Sequence, residues 1–436
     1  MSAPVNRVGY QIALTALLSL NFGFVLFDRN ASNFLMPFIQ PDLGLSNTQV
    51  GLISGALSLT WALAAFGIGA VSDRTGSRKG LLILSTLAFS VCSFGSGFAT
   101  SFAMLLGARL LMGVAEGGIM PISQSLIAAE VDPRHRGLAM GVAQGLGSSL
   151  LGSFVAPVML VAFAEAFGWR HAFFLAGAPG IVMAILIALV IRAPRVPGAA
   201  GSPGAASTPT AAATASAHTE RNAFSAAALR TVLGERNVLL CSIMSILLVS
   251  YLVVCWAFMP LYLTQVRGFD APTMGWLMGS LGISATVAST AIPALSDRIG
   301  RRGVMILMPL IAIVLPLAAM YFNGSTWSLA AIFVVGWGVT GVFPLFMATV
   351  PSESVDPRHV ASALGICMGT GELIGGVLSP FAAGYAADIV GLQAPLWIML
   401  GLALAGGLVA LGVRETAPRV VGAPLRVEEV ILEEVK

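Results

Sequence analysis

SDRTGSR at residues 72–78 returns as SDRIGRR at residues 296–302, and VDPRH at residues 131–135 returns unchanged at residues 355–359. Both pairs are 224 positions apart. Two matches at one offset are hard to obtain by chance, so the chain reads as an internal duplication. Each match joins two long apolar runs. A membrane-crossing helix needs about 20 mostly apolar residues. Twelve runs qualify: 10–39, 50–71, 81–99, 102–129, 138–163, 172–191, 238–263, 274–295, 304–322, 327–350, 360–387 and 394–413. Six fall in each half, and corresponding runs point the same way, as in a parallel repeat of six-span units. The fold class predicted is an all-α membrane protein of 12 transmembrane helices in two pseudo-symmetric six-helix bundles.

Composition agrees. Of 436 residues, 57% are hydrophobic and 10% charged, and the mean hydropathy is +0.89. Soluble domains carry about 25% charged residues. So little polar surface excludes a cytosolic enzyme, a nucleic-acid binder and a disordered chain. The expected surroundings are a lipid bilayer, with no nucleic acid partner and the protein a monomer. With the N-terminus inside, 19 of the 23 basic residues fall in inner segments and only Arg170 and Arg267 in outer loops. The positive-inside rule then puts both termini in the cytoplasm, for a multi-pass protein of the plasma membrane, the inner membrane of a bacterium. The first apolar run is too long for a cleaved signal peptide and reads as a retained helix.

The polar stretch 192–237 holds the low-complexity segment PGAAGSPGAASTPTAAATASA. It reads as a flexible cytoplasmic linker. The predicted organisation is an N-terminal bundle (1–191), the linker (192–237), a C-terminal bundle (238–413) and a cytoplasmic tail (414–436). Cys92, Cys241, Cys255 and Cys367 all lie in apolar runs without metal-ligand spacing, and read as packing residues with no metal.

The remaining charges are inside the membrane, where each costs on the order of 2.5–3.5 kcal/mol on insertion scales. Asp28 and Arg29 lie in span 1, Arg109 and Glu116 in span 4, and Glu372 in span 11. At about 1.5 Å per residue, Asp28 is roughly 17 Å from the outer end, Arg109 roughly 11 Å and Glu116 roughly 21 Å. Arg109 and Glu116 share one helix face, two turns apart, and would bracket Asp28 and Arg29 if spans 1 and 4 are neighbours. The four charges sum to zero, and one proton makes the set positive. Proton and anion binding would then assist each other, the coupling a symporter needs. Arg29 or Arg109 could hold a substrate carboxylate bidentately. Glu372 has no basic residue within spans 7–12, and could face hydroxyls of a substrate, take a proton, or be structural. Asn33, one turn beyond Arg29, and Tyr251 are further polar candidates for substrate contact. Asn21, Asn30, Gln144 and Tyr262 are softer candidates of the same kind, and for any of the six an interhelical hydrogen bond is the competing reading.

The segment GAVSDRTGSRK at residues 69–79 resembles the GxxxDRxGRR signature of the major facilitator superfamily, with Ser77 where a basic residue is usual. The resemblance covers nearly the whole chain. It implies two bundles that rock about a central cavity in alternating access. It also implies a cytoplasmic gate in which Asp73, Arg74 and Arg78, mirrored by Asp297 and Arg298, latch the bundle ends. The Asp28–Arg29 pair and Arg-x6-Glu at residues 109–116 are similar to the anion:cation symporter family. That likeness implies proton-coupling roles for Asp28 and Glu116, a substrate-carboxylate ligand in Arg29, and a charge partner in Arg109. The same pattern occurs in Spinster-type lipid carriers. No phosphate-binding GxxxxGK[ST] loop or hydrolase motif is present, so no cofactor is expected and a proton gradient is the expected energy source. Proton-coupled uptake of a small organic anion is the leading expectation. A Spinster-like amphiphile carrier and a proton antiporter exporting drugs or metabolites remain alternatives.

Overall fold

The computed structural model of the protein describes residues 7–75, 77–132, 134–192, 232–356 and 359–421. Twelve helices are long and apolar enough to cross a membrane. In chain order they are α1 (Arg7–Leu43), α2 (Asn47–Thr75), α3 (Arg78–Gly97), α4 (Phe102–Glu130), α5 (Arg136–Phe167), α6 (Trp169–Val190), α7 (Arg236–Val266), α8 (Ala271–Ile299), α9 (Arg301–Tyr321), α10 (Thr326–Ser354), α11 (Ser362–Val390) and α12 (Gln393–Ala410). Every predicted apolar run falls on one of them, overrunning its ends by three residues at most. Of the predicted linker, residues 193–231 lie outside the described residues, as do 422–436 of the tail.

The duplication is visible in fine detail. α4 and α10 begin on Ser101 and Ser325, 224 positions apart, and each hydroxyl accepts the N–H three residues on, from Met104 and Ser328. These are N-caps, satisfying a donor that the first helical turn leaves open. The turns after α1 and α7 each use a glycine in the left-handed region, Gly44 (φ 61°) and Gly268 (φ 67°). Both α5 and α11 widen into π turns at equivalent places, Ser148–Val155 and Gly371–Leu378.

In α5 the widened region begins at Val142. Polar side chains of α1 cover it. Ser19 Oγ donates to the Val142 carbonyl (2.8 Å) and accepts from the Gly147 N–H (3.1 Å), and Asn30 Nδ2 donates to the Gly152 carbonyl (3.0 Å). In a membrane, irregular backbone persists only where such partners exist. α1 and α5 also touch glycine to glycine. A Cβ on Gly23 would meet the Gly147 carbonyl oxygen at 2.7 Å, and one on Gly147 the Ser19 oxygen at 1.9 Å. Small residues at such crossings bring the backbones together.

The halves meet over the end opposite the Arg-rich α2–α3 and α8–α9 loops. There α2 lies on α11, α5 on α8 and α1 on α7. A Cβ on Gly51 would meet the Pro380 carbonyl oxygen at 2.0 Å, and one on Gly384 that of Asn47 at 2.2 Å. Phe34 packs edge-on against Trp256, centroids 5.4 Å apart. Gln265 Nε2 donates to Gln40 Oε1 (2.8 Å). Asp388 of α11 caps α2: its carboxylate accepts from the Asn47 and Thr48 N–H groups (2.8 and 2.9 Å) and the Thr48 hydroxyl (2.5 Å). Such a carboxylate complements a helix N-terminus. At the basic end the α5 and α8 residues Leu138, Leu146, Val287 and Ile299 are exposed.

Candidate functional site

The buried charges gather inside the N-terminal bundle, and glycine and serine put them there. Ser85, Ser90, Ser93 and Ser96 lie buried on α3. Gly177 and Gly180 of α6 admit that surface closely: a Cβ on Gly177 would meet Ser93 Cβ at 2.8 Å, and one on Gly180 Ser90 Oγ at 2.1 Å. α4 breaks at Gly118, between Phe102–Gly117 and Ile119–Glu130. Gly113 and Gly117 let α4 approach the backbone of α2 around Trp61. Glu116 therefore sits at a helix discontinuity.

Asp28, Arg109 and Glu116 are 0%, 0% and 1% exposed. Their environment is not a closed salt-bridge cluster. Among the described residues no ion pair within 4.0 Å joins any of them. Arg109 lies over the Phe173 ring, 4.8 Å from its centroid, and Nη1 points at Met112 Sδ (3.1 Å). Its Nε and Nη2, Asp28 Oδ2 and both Glu116 carboxylate oxygens are buried without a hydrogen-bond partner. Asp28 Oδ1 lies 2.7 Å from Ser93 Oγ, which is 2.9 Å from the Phe173 carbonyl oxygen. Arg109 is the charge acting most strongly on Asp28, and Arg29 the one acting most strongly on Glu116. The expected bracketing thus takes a crossed form, with electrostatic attraction but no direct contact. Unpartnered donors and acceptors at this depth are costly, and they offer an incoming ligand its bonds.

Arg29 is half-buried and stacks on Trp61 of α2, 5.2 Å from the ring centroid. Its charge also reaches Glu372. The predicted spans 7–12 hold no basic residue; the cation whose field reaches Glu372 belongs to the other half of the molecule, and among the described residues no ion pair within 4.0 Å joins the two. A sequence scan confined to spans 7–12 could not find it. Glu372 opens the π segment of α11, and its Oε2 and the Ser58 side chain of α2 flank Gly376. Asn33 Oδ1 accepts from Ser54 Oγ of α2 (3.2 Å). Tyr251 is elsewhere. It is 1% exposed, its hydroxyl donates to the Ala312 carbonyl (2.9 Å), and its ring packs 6.1 Å from that of Trp337. It belongs to the C-terminal core, away from the charges. Its polar tip gave it the same sequence signature as a ligand-facing residue.

At the basic end the C-terminal half holds a charged knot. Asp297 pairs with Arg301 one turn on, and Arg301 also bonds Ser296 Oγ (2.8 Å) and Glu353 Oε1 of α10 (3.1 Å). Thr416 Oγ1 donates to the other Glu353 oxygen (2.5 Å). Arg298 is exposed on the last turn of α8. The charged knot of this half is thus centred on Arg301, and Arg298, expected at the gate, takes part in none of these bonds. At the equivalent place in the N-terminal half stands Ser77. The side chains of Asp73 and Arg74 lie outside the described residues; Arg78 opens α3.

Ser93, Trp61, Arg301 and Glu353 join the picture only in three dimensions. The buried serines of α3 recur at helical spacing and carried a signal. Phe173 contributes a ring and a main-chain carbonyl, and no sequence pattern announces the latter.

Comparison with known proteins agrees with this architecture. The Major Facilitator Superfamily pattern matches residues 18–366 and 252–433. The chain is 28% identical over 366 residues (81% of this chain, 80% of the relative) to the "Probable 4-methylmuconolactone transporter" of Cupriavidus pinatubonensis. It is 25% identical over 413 residues (93% and 94%) to the "Probable sulfoacetate transporter SauU" of Cupriavidus necator. The fold is shared with a bacterial homologue of the human lysosomal transporter Spinster in an inward-facing, unoccupied conformation. That structure has a TM-score of 0.74 at 20% identity, covering 95% of this chain and 98% of the other. Duplicated six-helix bundles, charges buried inside the first of them and these matches have one conclusion: the chain belongs to the Major Facilitator Superfamily and is a multi-pass membrane transporter.

Proposed function

We propose that this protein is a proton-coupled symporter that takes up a small organic anion, a carboxylate such as a sugar acid or aromatic acid, by alternating access. The observation that carries the reading is the buried Arg109 guanidinium with two unpartnered nitrogens, beside Asp28 and Glu116 with three unpartnered oxygens. A static tether would bond these groups to one another. Left apart, they can each take a proton or a ligand. The relatives named as transporters of sulfoacetate and of hexuronate (33% identical over 159 residues) support an anionic substrate. The likeness to Spinster is one of fold and brings no substrate with it.

On this reading the basic end is cytoplasmic, both termini lie there, and the exposed α5 and α8 residues of that end face the cytoplasm of a bacterial cell. Arg29, half-buried on Trp61, is the ligand for the substrate carboxylate; Arg109 balances Asp28 and Glu116. Glu372 changes the charge arithmetic. Asp28, Arg29, Arg109 and Glu116 sum to zero, but Glu372 within the field of Arg29 brings the set to −1. One proton neutralises it and a second makes it positive, the state that attracts an anion. Binding energy then favours protons and anion arriving together. Asn33 and Glu372 line the α2–α11 side, where hydroxyls of a sugar acid would find acceptors. Protons alone supply the driving force in this scheme, and Asp28 and Glu116 carry them.

Purified protein in liposomes under an inward proton gradient tests this. Given sugar acids, aromatic acids and sulfoacetate in turn, at least one should accumulate, and a protonophore should abolish the accumulation. Glu116→Gln should keep counterflow exchange and lose gradient-driven accumulation. No accumulation of any anion, or accumulation indifferent to protonophore, contradicts the proposal.

A further inference from the structure

Ser93 of α3 stands between two acceptors with one hydrogen to give. Its Oγ is 2.7 Å from Asp28 Oδ1 and 2.9 Å from the Phe173 carbonyl oxygen. All three residues are fully buried. A hydroxyl donates one hydrogen and can accept through its lone pairs. With Asp28 ionised, both neighbours are pure acceptors, and Ser93 can serve only one of them. With Asp28 protonated, the carboxyl O–H donates to Ser93 Oγ, and Ser93 donates to the Phe173 carbonyl. Both short contacts are then true hydrogen bonds. Each protonation state therefore has its own direction of the Ser93 hydrogen.

We propose that Ser93 is the positioning residue for Asp28, its hydroxyl turning from the Asp28 carboxylate to the Phe173 carbonyl each time Asp28 takes up a proton. The inference rests on the reading of Asp28 as a proton carrier. One proton enters on Asp28 Oδ1, the serine O–H bond never breaks, and the change is a single rotation. Its readout is on α6, in the residue whose ring lies under Arg109 at 4.8 Å. Protonation of Asp28 removes the charge facing Arg109 and, in the same step, adds a hydrogen bond to the main chain that carries the Arg109 platform. Arg109 is then positioned to turn its unpartnered Nε and Nη2 toward an anion. The charged and titratable groups facing Asp28 are Arg109 and Glu116 of α4 and Cys92 of α3, with Arg29 next in the chain. None of them reaches Asp28 with a hydrogen bond, which leaves that role to Ser93.

The test is infrared difference spectroscopy of the full chain in liposomes during a pH titration, the Asp28 carboxyl band being identified by its loss in Asp28→Asn. In Ser93→Ala, ionised Asp28 loses its donor and protonated Asp28 its acceptor. The band should move to higher wavenumber and appear about one pH unit higher than in the natural protein, the usual effect of removing a donor to a carboxylate. Ser93→Thr should restore both values. Ser93→Cys, a weaker donor of similar size, should shift both part of the way and serves if the alanine variant does not fold. A band unchanged in Ser93→Ala, or in Ser93→Cys where only that variant folds, overturns the proposal, and so does a threonine variant that behaves like alanine. The spectra need no transport. If the natural protein shows the band but no proton-driven accumulation, the symport reading fails and the Ser93 assignment stands. If symport is intact and Ser93→Ala leaves the spectrum unmoved, only the Ser93 assignment fails.

Discussion

The two halves of this protein descend from one pattern and spend their charges differently. At the positions 224 residues after Asp28, Arg29, Ser93, Arg109 and Glu116 stand Leu252, Val253, Leu317, Phe333 and Thr340. Not one ionisable group is retained. Conversely, the C-terminal half ties its basic end with Arg301, Asp297 and Glu353, and the N-terminal half has Ser77 and Ala129 where Arg301 and Glu353 would be. One half thus holds charge in the membrane interior, where the proposed function has it respond to protons and anions. The other holds charge at the loop, and fills its interior with Tyr251, Trp256 and Trp337. Phe34 on Trp256 joins them at the end where the halves meet. On the function proposed above, this becomes a division of labour: an N-terminal half that senses and a packed C-terminal half that it moves against. Glu372 is the exception, and it faces the N-terminal half's Arg29.

The largest effect should follow from making the sensing half resemble the other. Arg109→Leu strands Asp28 and Glu116 without their buried countercharge, a loss of about 3–5 kcal/mol. Counterflow should fall at least ~100-fold, with a lower melting temperature in detergent. Activity within a few-fold of the natural protein would remove Arg109 from the site. Next comes Arg29→Lys. It keeps the charge but loses the bidentate fork and much of the stacking on Trp61, so KM should rise about tenfold with little change in maximal rate. An unchanged KM would move the substrate carboxylate elsewhere.

Changes in the C-terminal half should be smaller and of another kind. Arg301→Ala cuts the ties to Asp297, Ser296 and Glu353 at a half-wet loop, so turnover should slow about threefold at constant KM. A large KM change would break the proposed division. The smallest effect belongs to Glu415. Burial pushes its pKa up, but four N–H groups, of Ala417, Arg301, Arg302 and Thr416, outweigh burial and hold its pKa below the ordinary value. Its contribution is therefore complete at neutral pH and lost as pH falls through that lowered value. Glu415→Gln should leave transport within about twofold and speed proteolysis of the tail.

Much of this was legible in the sequence because membranes simplify the problem. Hydropathy alone located all twelve helices, and the scarcity of charge made Asp28, Arg29, Arg109 and Glu116 conspicuous. What could not be read was anything that depends on which helices touch. Glu372 stood alone because the cation whose field reaches it, Arg29, lies in the other half of the chain. Tyr251 looked like a ligand because a buried hydroxyl satisfied by the Ala312 carbonyl has the same one-letter code as an unsatisfied one. Ser93 looked like one serine among several on α3. The break at Gly118, which ends the helix just beyond Glu116, hid in a run with helical hydropathy throughout.

The central claim is that proton and anion binding in the N-terminal half are one event. Proton uptake on anion binding measures it directly: purified protein in weakly buffered detergent, a pH indicator, and a saturating pulse of whichever organic anion the liposome panel identifies. The account predicts that the solution turns alkaline on binding, and that the signal is reduced in Glu116→Gln even though the anion still binds. Binding without any change of pH in the natural protein would contradict it.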